Sequence, residues 1–236
     1  MSSSLSPLLS ATFWEDGYDH LVEPVHQRDA QARRHLAALD VSVFDGNGKR
    51  LLDFSVDPRD EVVDLDGLLA GPLAGRGRVL VLFDARYDPQ IFPYRPHHYG
   101  YLHRRGSPAP PLYYAVNAVL GGVPDRIGAT GMNNFETYLF RQQALPARHA
   151  VLVANLSRFT TAEVQVTAYY GRSKVLERAT LPPKLHAELP LPAERDGQPL
   201  ERVEIKAPFR MATYVIGRQG QSGDLVLFDH LFTYFR

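Results

Sequence analysis

Val41-Ser-Val-Phe-Asp-Gly-Asn-Gly-Lys49 and Val164-Gln-Val-Thr-Ala-Tyr-Tyr-Gly-Arg172 share one pattern, 123 residues apart. Each is an alternating apolar run that ends in residues suited to a turn. Leu51-Leu-Asp-Phe54 then restarts the alternation, which is the signature of a β-hairpin. Other features repeat in the same order to either side. Phe13-Trp-Glu15 is matched by Asn134-Phe-Glu136 at a shift of 121, and Val56-Asp-Pro58 by Leu181-Pro-Pro183. Tyr101-Leu-His-Arg-Arg105 is matched by Tyr214-Val-Ile-Gly-Arg218 at a shift of 113, a shift that Leu112-Tyr-Tyr and Leu225-Val-Leu keep. The fall in the shift places an insertion in the first half, for which residues 84–95 are the candidate.

Strand signals dominate the rest of the chain. Runs at 79–83, 99–103, 112–119, 151–154, 175–179, 203–206, 212–217 and 225–234 are apolar or alternating, and 18 Gly and 18 Pro punctuate them. Short strands with such turns argue for a sandwich or barrel. The predicted fold is all-β: two tandem antiparallel β-sandwich domains arising from internal duplication. The expected boundaries are a disordered N-terminus at 1–10, a first sandwich at 11–120, a Gly-rich linker at 121–131 and a second sandwich at 132–236. The composition of 29–39 favours a short helix, and 64–70 reads as a turn.

Of 236 residues, 44% are hydrophobic and 22% charged, enough for a real core. Lys and Arg together number 26, as do Asp and Glu, so no net charge pulls the chain toward nucleic acid or an acidic membrane. With no Cys, disulfides, thiolate chemistry and Cys-based zinc sites are excluded. No apolar run approaches a membrane span and no signal-peptide pattern precedes the first strand, so the expected location is cytoplasmic. The Gly-rich run Gly217-Arg-Gln-Gly-Gln-Ser-Gly223 lacks the Lys-Ser/Thr and helix of a phosphate loop and reads as a hairpin turn. No G-x-S-x-G elbow supplies a nucleophile. No cofactor or metal is expected.

Val151-Leu-Val-Ala-Asn-Leu-Ser157, Ala162-Glu-Val-Gln-Val-Thr-Ala-Tyr-Tyr170 and Thr180-Leu-Pro-Pro183 resemble the sensory rhodopsin transducer family of small bacterial β-sandwich proteins. The likeness covers about one half of the chain, which departs from the family in being doubled. It implies a soluble sandwich that binds a partner or a sugar-like ligand.

Three constellations could carry function. Tyr94-Arg-Pro-His-His-Tyr-Gly-Tyr-Leu-His103 is dense in aromatic and basic groups. On a strand, His97, Tyr99, Tyr101 and His103 share one face and His98 takes the other. His97 and His103 then stand roughly 20 Å apart, too far to share a metal. Trp14 beside Glu15 and Asp16 has the makings of a sugar platform, and Asn133, Asn134 and Glu136 hold the equivalent place in the second half. Asn155, Asp229 and His230 are polar residues within apolar strands, and alternation puts Asp229 and His230 on opposite faces.

Two functions compete on this sequence, with a purely structural subunit of an assembly as a third. The first is a non-catalytic ligand-binding or assembly protein whose partner is a small polar ligand such as a saccharide, or another protein, including a second copy. Its binding residues would be Trp14, Tyr94, Arg95, His97, His98, Tyr99, His103, Asn133, Asn134 and Glu136. The second is an enzyme of small-molecule metabolism with an acid–base site at the seam between the copies, drawing on Glu15, Glu136, His98 and His103, with or without a divalent metal.

Overall fold

The computed structural model describes residues 6–23, 35–87, 98–120, 134–140, 147–220 and 222–233. The chain forms two compact units, Met1–Gly122 and Val123–Arg236. Both are built from antiparallel strands.

The first unit contains β1 (Ser6–Trp14), β2 (Tyr18–Val22), β3 (Leu36–Phe44), β4 (Arg50–Val56), β5 (Val63–Asp64), helix α1 (Leu65–Leu69), β6 (Val79–Tyr87), β7 (His98–Arg104) and β8 (Leu112–Leu120). The strands lie in the order β4-β3-β6-β1-β8-β7-β2-β5. β8 makes this one continuous sheet. Its residues 112–116 pair with β7 and its residues 117–120 with β1.

The second unit contains β9 (Asn134–Leu139), β10 (Ala147–Ala154), β11 (Ala162–Tyr170), β12 (Ser173–Leu181), β13 (His186–Leu191), the short pair β14 (Glu194–Arg195) and β15 (Gln198–Pro199), β16 (Arg202–Ala207), β17 (Ala212–Gln219), β18 (Leu225–His230) and β19 (Phe232–Thr233). They form a five-stranded sheet, β12-β11-β16-β9-β19, and a four-stranded sheet, β13-β10-β17-β18. Val151, Val153 and Val215 of the smaller sheet share an apolar core with Val164, Val166, Val203 and Ile205 of the larger, and Phe209 and Met211 join the same cluster. Strict alternation along β11 and β16 buries one face and leaves the other to solvent.

The two units have the same strand order. Reading β4-β3-β6-β1-β8 against β12-β11-β16-β9-β19, and β8-β7-β2-β5 against β18-β17-β10-β13, pairs the strands in chain order throughout. The rung Thr12–Val81–Val43 crosses the same three strands as Glu136–Ile205–Val166. Both expected hairpins, β7/β8 and β17/β18, occupy equivalent places.

Four local expectations are corrected. Ser6 to Ser10, expected outside the fold, lie in β1 because all five pair with β6 and Leu8 to Ser10 pair with β8 as well. The helix expected over 29–39 is not formed at 36–39, which belong to β3 and pair with β6; sheet partners override a weak local preference. Residues 64–70 form more than a turn: Asp64 caps α1 by accepting the backbone N–H of Gly67, and Leu65 and Leu69 are buried. Residues 84–87 of the expected insertion continue β6, while 88–95 lie outside the described residues.

Candidate functional site

Trp14 ends β1 with its side chain fully buried, so the ring is a core anchor and presents no platform. Glu15 pairs with Arg78 at 2.8 Å. Tyr94, Arg95, His97 and Asn133 lie outside the described residues, and His98 is placed only as the first residue of β7, opposite Val116. Tyr99 is about half exposed, Tyr101 and His103 are partly exposed, and Gly100 and Leu102 between them are buried, which is the expected alternation. Nδ1 of His103 lies 3.8 Å from an Asp19 carboxylate oxygen. Among the described residues, no three His, Cys, Asp or Glu side chains converge in a way that could hold a metal.

Asn134 and Glu136 do come together, inside the second sandwich. Glu136 is 1% exposed. Its Oε1 accepts an N–H from the Asn134 side chain at 3.0 Å, and its Oε2 accepts a short hydrogen bond from the buried Thr213 hydroxyl on the opposite sheet. Burial raises the Glu136 carboxyl above the usual carboxylate range. The Thr213 and Asn134 hydrogen bonds, together with Arg210 and His230, act against that rise without cancelling it. Because the folded value is the higher one, the stability that Glu136 contributes is complete below the ordinary carboxylate range. It declines as pH rises through the folded value. Glu136→Gln keeps the shape without the ionisation, so its melting temperature gains on that of the wild type as pH rises from 5 to 9. Parallel profiles would refute the assignment.

A second polar clasp occupies the first unit. The Tyr114 hydroxyl lies 2.6 Å from Nε2 of His20 and 2.7 Å from Oγ1 of Thr12, all buried. Thr12 lies on β1, Tyr114 on β8 and His20 on β2, so the clasp ties three strands together. Burial lowers His20 from 6.5 to about 3, so its ring is neutral. Neither clasp opens to solvent, and both serve the packing. Asn155 is likewise structural. Its amide donates to the carbonyls of Thr160 and Leu181, both at 2.8 Å, and its Oδ1 accepts the Ser157 backbone N–H. Asp229 and His230 come closer than alternation implies, with Nδ1 of His230 3.4 Å from an Asp229 oxygen.

One surface that faces solvent with convergent chemistry is the outer side of the five-stranded sheet. A groove of about 380 Å³ runs over β9 and β16. Its outward side chains are Phe135, Thr137 and Leu139 from β9 and Arg202, Glu204 and Lys206 from β16. Register sets them in rows: Tyr169–Arg202–Leu139, Thr167–Glu204–Thr137 and Gln165–Lys206–Phe135. Leu139 is 65% and Phe135 43% exposed. The Arg202 guanidinium lies 4.1 Å from the Tyr169 ring centroid, and the Tyr169 hydroxyl donates to Glu204 at 2.7 Å. The Lys206 ammonium lies 5.6 Å from the centroid of Phe135.

Sequence reasoning singled out Glu136 and Asn134 but passed over Arg202, Glu204 and Lys206. The alternation Arg202-Val-Glu-Ile-Lys-Ala207 was the available signal: three charged residues on one face of a strand whose other face is apolar. No family model, curated protein or solved structure matches the chain. No helix among the described residues is long and apolar enough to cross a membrane.

Proposed function

We propose that this protein is a non-catalytic binding protein made of two copies of one sandwich, and that its outer β9–β16 face takes a saccharide-like ligand. The shared strand order of the units supports descent by duplication. The groove carries the functional reading. It joins exposed apolar surface at Phe135 and Leu139 to the hydroxyl, carboxylate and cationic groups of Thr137, Glu204, Arg202 and Lys206. A sugar ring presents an apolar face and a rim of hydroxyls, so it needs that combination. The strongest acid–base candidate, Glu136, is committed to Thr213 and Asn134 within the core, where a substrate has no access.

The test is a calorimetric and NMR titration of the full chain with neutral and anionic oligosaccharides. Binding should perturb the amides of β9 and β16. Phe135→Ala should weaken it about tenfold, the scale of losing one apolar contact surface, with little change in melting temperature. Absence of binding across the panel, or binding that leaves β9 and β16 unperturbed, would rule the reading out.

A further inference from the structure

We infer that the ligand of this face is an anionic saccharide, one bearing carboxylate or sulfate groups. The inference rests on the reading that the groove binds a saccharide, and it comes from the charge pattern of the whole face. Continuing the rows onto β12 places Lys174 opposite Tyr169, Leu176 opposite Thr167 and Arg178 opposite Gln165. Lys174, Leu176 and Arg178 are all exposed. Among the described residues, the outward side thus carries four cations (Lys174, Arg178, Arg202 and Lys206) against two carboxylates, Glu163 and Glu204.

Those carboxylates are already engaged. Glu204 accepts the Tyr169 hydroxyl and lies 3.5 Å from Nη2 of Arg202, and Glu163 lies 3.8 Å from Nε of Arg178. Among the described residues, Lys174 and Lys206 have no carboxylate partner. The face as a whole therefore holds a surplus of positive charge beside its apolar groove, although the chain is neutral overall. Lys206 stands at the groove itself, 5.6 Å from the centroid of the exposed Phe135 ring. A pyranose seated on Phe135 and Leu139 would bring an acidic substituent within reach of Lys206 or Arg202, where a charge-assisted hydrogen bond is the natural contact. Single-stranded nucleic acid is the other polyanion that sheet faces bind, through base stacking on free aromatic rings. Here, among the described residues, Phe135 is the one exposed ring of the face, and Tyr169 is covered by Arg202; one ring seats a pyranose, whereas a strand of bases needs successive rings, which favours the saccharide.

The experiment is isothermal titration of the full chain with tetragalacturonate, maltotetraose and a single-stranded octathymidylate. Tetragalacturonate should bind at least tenfold more tightly than maltotetraose, and more weakly as sodium chloride is raised. Lys206→Gln should erase most of that preference while the melting temperature holds. Phe135→Ala should weaken both saccharides alike. Equal affinity for the two saccharides overturns the anionic preference and leaves the groove reading standing. Binding of neither overturns both. Tighter binding of octathymidylate than of tetragalacturonate overturns the saccharide in favour of nucleic acid.

Discussion

Between pH 7 and pH 4, urea unfolding of the full chain should show wild-type stability falling steadily against that of His20→Gln. His20 is fully buried and held at about 3 instead of 6.5. For a base whose folded value is depressed, the unfolded chain takes up the proton first. The contribution is therefore complete above about 6.5 and is lost as pH falls toward 3. At 1.36 kcal/mol per pH unit of separation, the loss between pH 7 and pH 4 is about 3 kcal/mol, a large share of a typical domain's stability. In His20→Gln an amide can still meet the Tyr114 hydroxyl, but nothing titrates. The variant should be less stable than the wild type at pH 7, by about 1 kcal/mol, and more stable at pH 4. Profiles that never cross would exclude His20 as the source of the acid limb.

Gly100→Ala should be among the most damaging single substitutions in the first unit. Gly100 pairs with Tyr114 across β7 and β8, and the Tyr114 ring lies over it. A Cβ at Gly100 would fall 2.1 Å from two ring atoms of Tyr114. The ring cannot swing aside cheaply, because its hydroxyl is held by Thr12 and His20. Overpacking at such a site costs about 3 kcal/mol or more. In a Tyr114→Ala background the collision partner is gone, so adding Gly100→Ala should then cost under about 1 kcal/mol. An undiminished cost in that background would place the effect in the backbone of β7 and not in the ring.

The legible part of this molecule is the part governed by alternation. β3/β4 and β11/β12 were readable because turn residues such as Gly48 and Gly171, both at positive φ, close two alternating runs. β1 was only half readable. Its first residues, Ser-Pro-Leu-Leu-Ser, carry no strand pattern of their own and are held by two neighbours far away in sequence. The clasps were illegible for a related reason. Thr12, His20 and Tyr114 are unremarkable in sequence, and only the packing of strands about a hundred residues apart makes them a network. Glu136 was noticed as a carboxylate but not as a buried one: a carboxylate in a strand reads as surface, and the Thr213 hydroxyl that permits its burial is 77 positions away. The groove was missed because aromatic density drew attention to residues 94–103, whereas its cations are spaced singly along one ordinary strand.

In each unit the first strand is hydrogen-bonded to the last, β1 to β8 and β9 to β19. Among the described residues, that pairing is the most distant closure each unit makes. β1 is synthesised first and must wait, one edge unfilled, until residues 117–120 have emerged. Folding that depends on such non-local closure belongs to the slow, millisecond-to-second regime. β8 fills the open edge of β1 and joins the two parts of the sheet. Domains generally fold as units as they are synthesised, and among the described residues every strand pair lies within one unit.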